Sequence, residues 1–206
     1  MNLQDVLRIV RDVLKWLLKL VESFIEKEAA QPEGRDPAPA YSPVKGRNLL
    51  TITGAYPKYT DLSKHSGLDF ACKKGADIVF IAPGKVISVK VGKRGKPGSS
   101  YVKVKIKGGK QHIYKHCKPI VKKGDHVEAG QTGGTADLSG RTTGYHLHFE
   151  CKKPDGKRFD PILELARFQP GLRYKFQAGR FSGGRSIRDI YEKYNPAGLK
   201  IIEANA

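Results

Sequence analysis

The chain has only three cysteines, one methionine and one tryptophan among its 206 residues. Cys72, Cys117 and Cys151 are too few for a disulfide scaffold, and their spacing is not that of a structural zinc knuckle. They leave the redox compartment open. Long hydrophobic runs are also missing: nothing approaches the roughly 20 apolar residues of a membrane span. No N-terminal segment joins a basic stretch to a continuous apolar one, so the chain reads as soluble, with no transmembrane span and no ordinary export signal. Acids are scarce, 20 Asp and Glu against 38 Lys and Arg, for a net charge of +18. The excess lies after residue 43. A surface of that kind attracts polyanions, whether nucleic acid, acidic lipids or the anionic polymers of a bacterial envelope, or it serves solubility alone. The sequence patterns of nucleic-acid-binding modules, an aromatic RNP-type strand included, are absent, so nucleic acid is not the expected partner.

The length suits one principal domain with appendages. Residues 1–28 form a periodic amphipathic helix in which Leu3, Leu7, Val10, Leu14, Leu17, Val21 and Phe24 recur at spacings of four and three, a heptad seam. Such a helix needs an apolar partner: another copy, a different protein, a membrane surface or its own domain. Acids and bases are balanced along it, so it lacks the cationic face of a membrane binder, and self-association or docking to a partner protein is favoured. Residues 29–43, AAQPEGRDPAPAYSP, form a semi-rigid, proline-rich linker.

From residue 44 to residue 165 short β-branched and aromatic runs alternate with period two between glycine-containing turns, as in DIVFIAPGKVISVKV and YVKVKIKGGKQHIYKHC. The pattern predicts a mainly β domain of antiparallel sheets or a sandwich. Residues 166–206 read as a looser basic tail with one short helix, begun by Ser186 and stopped by Pro196.

Two of the six histidines lie in GYHLHFE, residues 144–150. Side chains at i and i+2 leave the same face of a strand, so His146, His148 and Glu150 project together, with Leu147, Phe149 and Cys151 on the opposite face. KHSGLDFAC places His65 four residues before Asp69, and an imidazole with a carboxylate is a compatible zinc ligand pair. HIYKHCKP places His116 on the parity of Tyr114 and His112 if the strand runs that far. His112 and His126 sit at turn-like positions and are expected to be exposed. Parity directs the cysteines away from the histidine face, and Cys72 and Cys151 could face one another across neighbouring strands.

Taken together and in this order, these motifs resemble the LytM/lysostaphin-type zinc metalloendopeptidases, bacterial cell-wall hydrolases. The resemblance covers about Asn48 to Leu165 and includes HSGLDF, GADIVFIAPGKVISV, YKHC, VKKGDHVEAGQTGG, SGRTTGYHLHFE and DGKRFDP. It implies zinc ligands at His65, Asp69 and His148 and catalytic histidines at His116 and His146. Glu150 would then orient a histidine or hold a neighbouring strand. The implied activity is zinc-dependent hydrolysis of peptidoglycan cross-bridges; a non-catalytic wall-binding or hydrolase-regulating domain of the same fold is the alternative. The helix and stalk suggest delivery on a phage virion or tail, with a bacterial envelope or secreted enzyme as the other route. Tyr145 stands where the family has proline, Cys117 where it has leucine, and GTADLSGRTTG is longer than its common Gly-Ser-Thr-Gly turn. These departures bear on the groove's shape and substrate preference.

Overall fold

The computed structural model describes residues 41–179, 181 and 184–206, together with Lys15. The amphipathic helix and most of the linker lie outside the described residues. One compact unit spans Ala40–Ala206.

Among the described residues twelve strands follow one another: β1 Leu49–Gly54, β2 Leu68–Ala71, β3 Asp77–Val79, β4 Gly84–Lys90, β5 Tyr101–Ile106, β6 Gln111–Lys115, β7 Cys117–Pro119, β8 His126–Val127, β9 Thr132–Ala136, β10 His146–Lys152, β11 Arg158–Phe159 and β12 Arg173–Phe176. Three helices close the chain: α1 Pro161–Phe168, α2 Ile187–Tyr194 and α3 Pro196–Ala204. The larger sheet has the order β12-β1-β2-β10-β6-β5-β4-β8, with β11 beside β10, and the smaller has the order β3-β9-β7. All pairings are antiparallel except β1 with β12. The mainly β expectation therefore holds.

Alternation sets the faces. In β5, Val102, Val104 and Ile106 are buried while Lys105 is exposed, so period-two patterning sends one side of the ribbon to the core. Leu50, Ile52, Phe70, Leu147 and Phe149 form part of the core beneath β1, β2 and β10. The buried Tyr114 hydroxyl accepts a hydrogen bond from the Ile81 amide at 3.1 Å, tying β6 to the segment after β3.

The C-terminal region corrects the expectation of a loose tail. β12 extends the large sheet, and Leu172, Tyr174, Ile187, Ile190, Tyr191, Leu199 and Ile202 all belong to the core. Ser186 caps α2 in a reciprocal capping box with Asp189, and Pro196, which ends that helix, occupies the first turn of α3, where its missing amide proton costs nothing. Four residues of strand pairing in parallel with β1, more than 120 positions upstream, leave no local pattern that names their partner.

Two histidines also differ from their turn-like reading. His126 is exposed as expected, but His112 is fully buried, its Nε2 3.1 Å from Glu164 Oε2 on α1 and its ring edge-on to Phe149 and Phe168. β6 begins at Gln111, so parity turns His112 inward with Tyr114, and α1 folds back to cover it. The three cysteines are free. Cys151 pairs in register with His112 and Phe159, whereas the Cys72 amide donates to the carbonyl of Tyr145, at the far end of β10. The two do not face one another.

Candidate metal centre and cleft

The register of three strands builds the centre. Asp69 on β2 lies directly opposite His148 on β10, and Gly54 of β1 lies opposite Asp69 on its other side. His65 comes from the loop before β2, held by its amide to the Pro57 carbonyl at 2.9 Å and by its ring stacked on Tyr59, 3.8 Å between centroids. All three candidate ligands are buried. His65 Nε2, His148 Nδ1 and Asp69 Oδ1 are separated by 3.0, 2.7 and 3.2 Å.

The outward nitrogens decide what the inward ones can do. His65 Nδ1 donates to the Ala55 carbonyl at 2.6 Å. His148 Nε2 lies 3.1 Å from Glu150 Oε1 and donates to that carboxylate. With those protons placed outward, the inward nitrogens of both rings carry lone pairs. Two lone pairs and a carboxylate oxygen then face one another with no proton between them, an arrangement that a cation stabilises. Ligand atoms about 2.0 Å from a tetrahedral zinc ion stand roughly 3.3 Å apart, close to the separations found here. The donor set therefore fits zinc. It is the one group of three or more metal-capable side chains so clustered among the described residues.

Without an ion between them, His148 and His65 can instead hold protons toward Asp69; burial would raise its carboxyl, but those hydrogen bonds outweigh burial and hold the group far below the usual range. Burial likewise opposes ionised Glu150, and His148, Lys115 and Ser66 overcome it. Glu150 fills both roles open to it from sequence: Oε1 accepts from His148, Ser66 and Lys115, while Oε2 accepts from Arg158 on β11 at 3.0 Å.

His116 and His146 stand beside the ligands with ring centroids 4.5 Å apart. Each has one nitrogen fixed, His116 Nδ1 donating to the Ser139 carbonyl at 2.8 Å and His146 Nδ1 to the Gly144 carbonyl at 2.9 Å. His146 Nε2 lies 3.8 Å from Asp69 Oδ1. His116 does not reach the site by parity. β6 ends at Lys115, and a left-handed backbone at His116, φ 53°, turns its side chain from the Tyr114 side toward His148. Non-glycine residues adopt that conformation only where their surroundings impose it. Burial and neighbouring His146 lower the His116 pKa to about 4.

Sequence reasoning missed Tyr59, Gly54, Ser66 and Lys115. Burial and the adjacent Asp69 carboxylate raise the Tyr59 phenol well above its ordinary value; an isolated tyrosine in a loop carries no signal of this. A Cβ on Gly54 would lie 2.4 Å from Asp69 Oδ2 and 3.0 Å from His65 Cε1. Gly54→Ala should therefore displace two ligands and weaken zinc binding by about 10- to 100-fold; competition titration against a chromogenic chelator would measure it.

Two clefts open on the cluster. The larger, about 910 Å³, includes Thr53, Thr142, Tyr145, Gln177 and Phe181 in its wall, the last two from the C-terminal region. The smaller is about 250 Å³, and Tyr59, His116 and Arg141 line both. Among the described residues, no helix is long and apolar enough to cross a membrane.

A β-sheet scaffold with a buried His-Asp-His ligand set, and two further histidines at an adjoining cleft, is the architecture of a metal-dependent hydrolase. The chain belongs to Peptidase family M23, whose profile matches residues 63–161. It is 32% identical to the catalytic domain of the prophage-encoded M23 protein EnpA from Enterococcus faecalis, with a TM-score of 0.50 over 59% of this chain and 95% of that one. It is 38% identical over 87 residues to the peptidoglycan DD-endopeptidase ShyB of Vibrio cholerae, covering 42% of this chain and 20% of ShyB. With lysostaphin of Staphylococcus simulans it shares 33% identity over 98 residues, 47% of this chain and 20% of lysostaphin. The chain thus spans about a fifth of the length of these curated relatives.

Proposed function

We propose that the domain is a zinc metalloendopeptidase that hydrolyses peptide cross-bridges of bacterial peptidoglycan. The observation that carries this reading is the division of labour among four histidines: two turn lone pairs toward Asp69, and two more stand beside them with one ring nitrogen each anchored to a backbone carbonyl. The name of ShyB, a peptidoglycan DD-endopeptidase, supports the substrate class.

His65, Asp69 and His148 would hold the ion. Two neutral ligands and one anionic ligand would leave the bound ion a net positive charge. When bound, zinc supplies a Lewis acid that makes water nucleophilic near neutral pH and polarises the scissile carbonyl. His116 and His146 then divide two tasks, one accepting the attacking water's proton and the other donating a hydrogen bond to the developing oxyanion. Burial keeps His116 uncharged at neutral pH, so its Nε2 lone pair is available. Glu150 and the Ala55 carbonyl hold the ligand rings in the required tautomers.

Zymography on walls of differing cross-bridge chemistry tests the reading. Clearing should vanish with chelator and return with zinc; clearing indifferent to chelator would overturn it.

For delivery we infer a phage virion or tail component acting on the wall during entry, with self-association through residues 1–28. The heptad seam, the proline-rich linker and the prophage origin of EnpA support this. Absence of the chain from purified particles would refute the route, and identical monomeric masses with and without residues 1–28 would refute the self-association.

A further inference from the structure

The two clefts differ in charge. Arg141 lines both, but beside it the larger has neutral hydroxyl, amide and aromatic groups and Asp69, whereas the smaller adds Lys64 and Lys115 and has no carboxylate. These cations are not equivalent. Lys115 is ion-paired with Glu150, which also takes Arg158. Lys64 and Arg141 have no acidic partner among the described residues and are exposed. The other acid nearest the site, Asp69, is buried and engaged by the ligand histidines.

Both unpaired cations sit on fixed backbone. Lys64 precedes His65 and bridges to Lys58 across its loop. Arg141 follows Gly140, which is clamped to the 93–95 loop by Gly140 N to Lys93 O at 3.0 Å and Gly95 N to Gly140 O at 2.9 Å. Gly140 has φ 78°, and a Cβ there would lie 3.1 Å from the Ser99 backbone, so a residue without a side chain suits this approach. The clamp lies within GTADLSGRTTG, the turn that is longer than the family's common form. Arg141 stands at the junction of the two clefts, both of which His116 also lines.

Building on the endopeptidase reading, we propose that the smaller cleft is a carboxylate subsite. Arg141, assisted by Lys64, holds a free carboxylate of the wall peptide next to the scissile amide, so the preferred substrate is an anionic stem peptide and not a neutral bridge. A guanidinium presents paired donors to a carboxylate, and a cleft walled by one sign of charge concentrates the opposite sign.

The test uses the full zinc-loaded chain and two synthetic cross-linked peptides, identical except that one carries a carboxylate beside the scissile amide and the other a carboxamide. The carboxylate peptide should show about tenfold higher kcat/KM, as expected for one charge-assisted contact in a half-open site. In Arg141→Gln the ratio should fall toward one, and Lys64→Gln should reduce it less. Equal rates with the unaltered chain, or a ratio untouched in both variants, would overturn the subsite. Chelator-sensitive cleavage of both peptides at equal rates would sink the subsite alone, while the absence of such cleavage from both would sink the endopeptidase reading. In that event the ratio of Kd values for labelled peptides, read by fluorescence polarisation, still decides the subsite: a tenfold preference lost in Arg141→Gln supports it, and equal affinities refute it.

Discussion

His148→Ala should leave a folded chain that no longer retains zinc and whose wall hydrolysis has fallen by roughly a thousandfold or more. His148 meets both other ligands, at 2.7 Å to Asp69 and 3.0 Å to His65. Its removal leaves two ligands where a catalytic site of this type uses three. The fold should survive, because the side chain lies on the site face of β10 and not among Leu147, Phe149 and Cys151 in the core. Glu150 loses one hydrogen bond but keeps Ser66, Lys115 and Arg158, so its buried charge remains compensated, and one lost hydrogen bond costs about 1–3 kcal/mol. Zinc content by atomic absorption, hydrolysis rate and thermal unfolding should be measured on the same preparation. Full zinc content and unimpaired lysis would sink the ligand assignment.

The second large effect separates chemistry from metal binding. His116→Ala should keep its zinc and bind substrate with little change in KM, while kcat drops by about a hundred- to ten-thousandfold, the usual range for removal of a general acid or base. His116 is not within the ligand triangle; its ring centroid lies 6.4 Å from that of His148. Since its pKa is lowered to about 4, the unaltered side chain is already deprotonated at neutrality, and the unaltered chain's kcat should show no step from His116 titration between pH 7 and 8. Loss of zinc in His116→Ala would show that the residue acts through the metal site instead.

Local patterning carried much of this centre. Two-residue spacing in His146, Leu147, His148, Phe149 and Glu150 sends the polar side chains to one face and the apolar ones to the other, and β10 obeys it. The same rule misplaces His116, because a single left-handed residue ends the parity, and no composition signal announces such a turn in a residue other than glycine. His112 shows the converse. Its parity with Tyr114 is legible, but its burial depends on α1 returning over β6 from about fifty residues downstream, where Glu164 supplies the partner. Ala55, Ser139 and Gly144 act through backbone carbonyls, and every residue has one, so their roles leave no trace in side-chain identity.

By itself, the sequence determined the mainly β class, the residue types able to form a zinc site, their order along the chain and the uneven positive charge. Those follow from local periodicity and side-chain chemistry, which neighbouring residues carry. The tertiary structure decided which nitrogen of each histidine faces inward, the approach of Gly54 to two ligands, the enclosure of the cleft by Gln177 and Phe181, and the isolation of Arg141 and Lys64 from any acid among the described residues. Each of these depends on groups distant in sequence meeting within a few ångströms. That distance is settled by strand register and packing, which no local pattern encodes.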